Sequence, residues 1–186
     1  METSSDTVTV RPAQEADMAA VCELVNHYIE HTSTNFRTEP RTTTQWIQEL
    51  ADNASHYPWL VADVAGTIAG LAYATSWKTR PAYAWTAETT IYIDTGYVGR
   101  GVGSTLYREL LETLQRQGFH SAIATITLPN DHSLTLHKSM GYLPVGTIAN
   151  AGFKRGQWHD VTLWQRELSR AVAPPLPVTP FNELTE

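Results

Sequence analysis

The stretch that most constrains this chain is a run of alternating glycines, Val98-Gly99-Arg100-Gly101-Val102-Gly103-Ser104, set between a β-rich segment and a long apolar-periodic one. Upstream, residues 87–93 read as a strand. Downstream, residues 103–117 place Leu106, Leu110, Leu111 and Leu114 on one helical face, and Gly118 ends the run. Glycine admits positive φ, so successive backbone N–H groups can turn toward one point. A helix starting there adds its own unpaired N–H groups and the positive end of its dipole. Strand, glycine turn and helix together therefore predict a cradle for a phosphate or pyrophosphate. Two familiar phosphate loops fit poorly. A Walker loop needs Lys and then Ser or Thr after its last Gly, whereas Ser104 follows Gly103 directly, and the spacing Gly99-x-Gly101-x-Gly103 is not that of G-x-G-x-x-G.

The chain has 186 residues, enough for one domain with a sizeable core. Its formal charge of −6 argues against a nucleic-acid partner, although a local basic pocket is compatible with it. Cys22 is the single cysteine, so no disulfide can form within the chain, and its place on an apolar helical stretch reads as a small buried hydrophobe. No apolar run is long enough to span a membrane, and residues 1–7 are polar and acidic, unlike a signal peptide. These features predict a cytoplasmic protein with no membrane partner. His27, His31, His56, His120, His132 and His159 lack metal-ligand spacing, so no metal is expected.

Taken in order, the chain reads as strands over 8–11, 60–64, 68–76, 87–93, 121–128, 143–148 and 160–167, and helices over 15–29, 43–54, 103–117 and 133–140. Ala65-Gly66-Thr67 joins the second and third strands as a hairpin. Residues 32–38 and the aromatic-rich 77–85 read as loops, and 152–159 as a long hairpin loop. From residue 173 the chain is Pro-rich and expected to be extended. The expectation is one domain over 1–170 with a tail over 171–186. Its class is α/β (α+β), a mixed sheet with helices on both faces.

Two marks resemble the GCN5-related N-acetyltransferases (GNAT). The first is their acetyl-CoA loop, Q/R-x-x-G-x-G/A, which Gly101 and Gly103 match while Val98 stands where Gln or Arg is usual. The second is Asn130-x-x-Ser133-x-x-x-His137-x-x-x-Gly141-Tyr142, which resembles the segment N-x-x-A-x-x-x-Y-x-x-x-G-F. The resemblance narrows through Val25-Asn26-His27-Tyr28-Ile29-Glu30, Asn35-Phe36-Arg37-Thr38-Glu39-Pro40, Tyr57-Pro58-Trp59, Trp85-Thr86-Ala87-Glu88, Leu128-Pro129-Asn130-Asp131 and Ala151-Gly152-Phe153-Lys154. These look like the phosphinothricin N-acetyltransferase family, over nearly all of the chain except its two ends. Related enzymes accept methionine sulfoximine or methionine sulfone, so the substrate is less sharply specified than the family.

The resemblance implies the GNAT fold, a mostly antiparallel twisted sheet, and acetyl-CoA as cosubstrate. It implies direct attack of a small amino-acid amine on the thioester, and a homodimer. It places Glu88 as general base. A free carboxylate is a poor match for an ammonium, so Glu88 must be helped by burial or act through a water; its other reading is a surface residue at a strand end. Backbone groups of Ile91, Tyr92 and Ile93 would hold the thioester and pantetheine amides. Gly99, Arg100, Gly101, Val102, Gly103 and Ser104 would hold the pyrophosphate. Asn130 would bond the pantetheine arm, or simply cap a helix. His137 is a second acid–base group, or a half-buried, hydrogen-bonded histidine. Lys78, Arg80 and Tyr83 would grip the anionic groups of the substrate, with Phe36 and Tyr73 as walls, and Thr125 would retune substrate choice. Two other functions stay open: a methionine sulfoximine or sulfone acetyltransferase, and a non-catalytic acyl-CoA-binding module.

Overall fold

The computed structural model describes residues 7–184. Seven strands form one sheet in the order β1-β2-β3-β4-β5-β7-β6. They are β1 (Val8–Pro12), β2 (Trp59–Val64), β3 (Thr67–Ser76), β4 (Thr86–Ile93), β5 (Ser121–Thr127), β6 (Leu143–Lys154) and β7 (Gln157–Glu167). Helices α1 (Met18–His31) and α2 (Thr43–Asn53) cover one face, and α3 (Val102–Gln117) packs on the other, with α4 (Asp131–Ser139) beyond β5. Period-two alternation explains the two layers. In β2, Trp59 and Val61 join the α1–α2 core while Leu60, Ala62 and Val64 join the α3 core. On α3 the four leucines at helical spacing are all buried.

Local chemistry sets the ends of the elements. A 3-10 turn over Glu15–Asp17 precedes α1, so the helix starts later than its periodicity suggests. The Asp17 carboxylate accepts from the Gln14 N–H at 2.8 Å and pairs with Arg11 at 2.7 Å, which favours the turn. Thr42 and Gln45 form a capping box at the start of α2. Gly118 takes φ 95° and closes α3.

Every strand pairing is antiparallel except β4 with β5. That parallel contact has three residue pairs, Thr86↔Ser121, Ala87↔Ala122 and Glu88↔Ile123. Beyond Glu88, β4 continues along β3 as far as Ile93↔Gly70, and β5 continues along β7 as far as Thr127↔Val161. The sheet therefore forks at Glu88 into two half-sheets.

The β6–β7 arm departs from the sequence reading. Residues 152–159, expected as a loop, are paired strand on both sides of a two-residue turn, Arg155-Gly156, with φ 53° and 80°. The reason is an inverted pattern. Lys154 and His159 are buried, whereas Phe153 and Trp158 are exposed and meet edge to face. The Lys154 ammonium donates to the carbonyls of Ile29 and Asn35 at 2.7 and 2.6 Å, which offsets part of the cost of burying it; burial still holds its pKa below the ordinary lysine value. The Pro-rich tail, expected to be extended, has no strand among its described residues and turns into a short 3-10 helix at Phe181–Glu183, and it is strapped to the body. Leu176 O accepts from Trp85 Nε1 at 2.7 Å, and the Gln117 amide donates to Thr179 O and His56 O, both at 2.8 Å.

Beneath the fork lies a buried hydroxyl–imidazole cluster. Thr89 Oγ1 donates across the fork to Ile123 O at 3.1 Å and sits 2.8 Å from both Tyr107 Oη and Tyr142 Oη. Tyr107 Oη is 2.9 Å from His137 Nε2, and His137 Nδ1 is 2.8 Å from Ser133 O. A carbonyl only accepts, so Nδ1 carries the hydrogen and Nε2 accepts from Tyr107. Burial holds the His137 pKa below its ordinary value, partly offset by the Ser133 carbonyl. Burial also pushes Tyr142 up to about 12.

Because His137 binds its proton more weakly when folded, the unfolded chain holds more protons in this range and stability rises with pH. The contribution is complete above about pH 6.5, the usual unfolded value, and fades as pH falls below it. The thermal midpoint should therefore drop on acidification from pH 7.5 to 5.5, and His137→Gln should flatten that dependence while lowering the midpoint throughout. Identical pH dependence in the two proteins would show that the imidazole is not held neutral.

Candidate active site

A cavity of about 750 Å³ occupies the fork. One wall is β4 from Thr89 to Ile93, the opposite wall is β5 from Ala124 to Thr127, and Gly99, Gly101, Gly103 and Ser104 stand at its mouth. The edge of β4 that faces β5 has no strand partner beyond Glu88. A backbone donor facing an open cavity must be satisfied by water or by a ligand.

The glycine turn behaves as its residues require. Gly99 and Gly101 take φ 79° and 83°, a region that costs glycine little. Gly101 is the N-cap of α3 and no side chain caps it, so the first-turn N–H groups of Val102, Gly103 and Ser104 have no partner within the helix. Gly103 sits inside α3, where a Cβ would lie 3.4 Å from Ile93 Cγ1. The Arg100 guanidinium rests 5.6 Å above the Tyr97 ring. Val98 is exposed and supplies no donor. A set of free amides at a helix start, one adjacent cation and an amide-lined cleft fit a diphosphate ester with an amide-bearing arm.

Glu88 lies at the apex of the fork, half-buried, and its Oε1 accepts from Thr125 Oγ1 at 2.7 Å. Alternation puts Thr90 and Tyr92 on its face of β4. Tyr92 Oη accepts from Asn35 Nδ2 at 2.8 Å, and Tyr28 Oη donates to Ile93 O at 2.6 Å. Tyr73, opposite Thr90 on β3, stacks on Trp59 at 4.3 Å. Burial pushes Tyr92 up to about 12 and raises Tyr73 further, so both phenols keep their protons. Phe36 lies over Gly152, where any Cβ would overlap its ring.

The sequence-derived residues do not all meet at the cavity. Ile91, Tyr92, Ile93, Gly99, Gly101, Gly103, Ser104, Asn130, Thr125 and His137 border the cavity and Glu88 joins them through Thr125, whereas Arg100, Val102, Phe36 and Tyr73 are not part of its lining. Asn130 is a helix cap here, its Oδ1 accepting from the Ser133 N–H at 3.2 Å, while it also faces the cavity. Lys78, Arg80 and Tyr83 gather apart from that wall. The Lys78 ammonium lies 5.2 Å over the Trp77 ring, Tyr83 meets Trp77 edge to face at 5.1 Å, and Arg80 is exposed. Sequence reasoning missed Tyr28, Asn35, Thr89, Tyr107 and Tyr142. Tyr107 reads as one more amphipathic helix residue, and Asn35 as one more polar loop residue, so neither carries a local signal. Among the described residues no three His, Cys, Asp or Glu side chains converge as a metal site, and no helix is long and apolar enough to cross a membrane.

Comparison with known proteins agrees with this geometry. The family described as "Acetyltransferase (GNAT) domain" matches residues 10–163. A phosphinothricin N-acetyltransferase of Streptomyces viridochromogenes is 52% identical over 177 residues, 95% of this chain and 96% of that protein. An L-methionine sulfoximine/L-methionine sulfone acetyltransferase of Salmonella typhimurium is 32% identical, over 90% of this chain and 98% of that protein. The crystal structure of a GNAT superfamily phosphinothricin acetyltransferase from Sinorhizobium meliloti in complex with acetyl-CoA superposes with TM-score 0.86 at 28% identity, covering 94% of this chain and 98% of that one. The forked sheet, the uncapped glycine turn and these matches together place the chain in the GNAT acetyltransferase family.

Proposed function

We propose that this enzyme transfers the acetyl group of acetyl-CoA to the amino group of phosphinothricin or demethylphosphinothricin. The observation that carries the proposal is the place of Glu88, at the meeting of an amide-lined cleft and a wall of protonated tyrosines. The Streptomyces viridochromogenes relative supports the choice of substrate. Acetyl-CoA supplies the activated acyl group. The chain's own residues do the rest. Amides of Val102, Gly103 and Ser104, with Gly99 and Gly101 shaping the turn and Arg100 beside it, hold the diphosphate. Backbone groups of Ile91, Tyr92 and Ile93 hold the arm and the thioester carbonyl, where negative charge develops. Glu88 takes the amine proton, directly or through one water. His137 is the second acid–base group, with Nε2 on Tyr107 and Nδ1 on Ser133 O. Asn130 contributes to the arm's site from its cap.

Lys78, Arg80 and Tyr83 supply two cations and a hydroxyl for the carboxylate and phosphinate, with Phe36 and Tyr73 as walls. The Salmonella relative favours a second reading, acetylation of methionine sulfoximine or sulfone, which also pair an α-amino acid with a tetrahedral polar head. We place the catalytic domain at residues 1–170 with a Pro-rich tail over 171–186, and the protein in the cytoplasm. We further propose a homodimer formed on the β6–β7 arm, where Leu143, Val145, Ile148, Phe153 and Trp158 are each more than half exposed.

Thiol release measured with acetyl-CoA and each of phosphinothricin, demethylphosphinothricin, methionine sulfoximine, methionine sulfone and the standard amino acids should give the highest kcat/KM with the phosphinothricins. A higher value for the sulfoximine would select the second reading. Glu88→Gln should lower kcat by about 100-fold or more while acetyl-CoA still binds; unchanged turnover would remove Glu88 as base, and no turnover with any amine would leave an acyl-CoA-binding module. Light scattering should report a dimer that Val145→Asp converts to monomer, and a monomeric wild type would refute the assembly.

A further inference from the structure

We infer that Thr125 is a positioning residue for Glu88, holding its carboxylate at the fork rather than contacting the amino-acid substrate. The inference rests on the reading of Glu88 as base. Its starting point is where the backbone ladder stops. Glu88↔Ile123 is the last pair between β4 and β5, and from there the two strands part. Side chains two apart on a strand share a face, so Thr125 is the first residue of β5 beyond the last pair whose side chain lies on the face of Ile123. Its hydroxyl reaches back across the opening to Glu88 Oε1 at 2.7 Å, a length typical of a hydroxyl bound to a charged oxygen.

A second hydroxyl makes the corresponding tie on the other face. Thr89, next to Glu88, donates to Ile123 O at 3.1 Å beneath the fork. The place where main-chain pairing ends is thus stapled from both faces, by a buried threonine below and a cavity-facing one above. Unlike Thr89, Thr125 ends on a group that is meant to react.

A carboxylate accepts only, so the shared hydrogen comes from Thr125. That bond commits Oε1 and fixes the torsions of a side chain that would otherwise sample several rotamers. Among the described residues no other protein donor reaches Glu88, so Oε2 is left to face an incoming ammonium or its water. Positioning of this kind acts on kcat, since a base held in one orientation loses less freedom on reaching the transition state. With its hydroxyl spent on Glu88, Thr125 has no donor left for a substrate oxyanion, which revises the role expected from the sequence.

The test compares Thr125→Val, which keeps the shape and removes the hydroxyl, with Thr125→Ser, which keeps the hydroxyl, and with Glu88→Gln. Acetyl-CoA and phosphinothricin serve as probes. The expected result for Thr125→Val is a kcat about tenfold lower, with KM for both substrates unchanged, and recovery of most of the loss in Thr125→Ser. Thermal midpoints of all three variants should stay near that of the wild type. A kcat for Thr125→Val within about twofold of wild type, while Glu88→Gln is inactive, overturns the inference and leaves Glu88 as base. A raised KM for phosphinothricin with kcat unchanged returns Thr125 to the substrate and also overturns it. Equal losses in the Val and Ser variants exclude the hydroxyl as the cause. An active Glu88→Gln overturns the reading of the base itself.

Discussion

Two strands that run parallel for three residues and then separate create most of what is unusual in this molecule. Separation leaves one edge of β4 without a strand partner, and an unpaired backbone donor shut away from water costs about 1–3 kcal/mol. The fold tolerates this because each half of the sheet stays paired on its outer side, β4 with β3 and β5 with β7. The opening also has a floor. Thr89, Tyr107, Tyr142 and His137 lie below the fork as polar groups bonded to one another, each within 2.9 Å of a partner, between the cavity and the α3 core.

Function follows from what the fork exposes and from what flanks it. The chain leaves β4, turns through Gly99 and Gly101 and enters α3 within ten residues, which brings a helix N-terminus to the mouth of the cleft that β4 itself lines. One short segment thus provides extended amides along a wall and convergent amides at the end of it. Glu88 is the residue at which pairing stops, so its side chain stands where the cleft meets the face covered by α1 and the 32–38 loop. That second face is aromatic, with Tyr28, Tyr73 and Tyr92 all held protonated by burial and the Arg37 guanidinium close enough to act on Tyr73 and Tyr92. The cations Lys78 and Arg80 stand further out, on a loop whose Trp85 is tethered to the C-terminal strap.

Much of this is written locally in the sequence. The leucines of α3, the Ala65-Gly66 turn and the β-rich run of β2 are each legible in a short window, and the structure reproduces them with α3 and β2 each starting one residue earlier than read. The glycine turn is legible because its requirement is conformational, and only glycine meets it cheaply. The β6–β7 arm is not legible by hydrophobic period, because Lys154 and His159 face inward and Phe153 and Trp158 face outward. What makes that pattern stable is a contact spanning 119 residues, from Lys154 to Asn35, which no local window contains. Long range also hides the roles of Thr125, tied to Glu88 37 residues away, and of Tyr107, tied to His137 30 residues away. The sequence marks Thr125 as a pocket residue and His137 as an acid–base group. Only the fold shows that the first is spent on the base and that both nitrogens of the second are engaged inside the protein.

The account depends on the fork being the place where acetyl-CoA lies. Amide hydrogen exchange of the whole chain, with and without saturating acetyl-CoA, addresses that directly. Protection should rise at residues 89–93 and 99–104 together, with little change in the β6–β7 arm or along α2. Protection confined to another surface, or no change in the glycine turn under saturation, would contradict it.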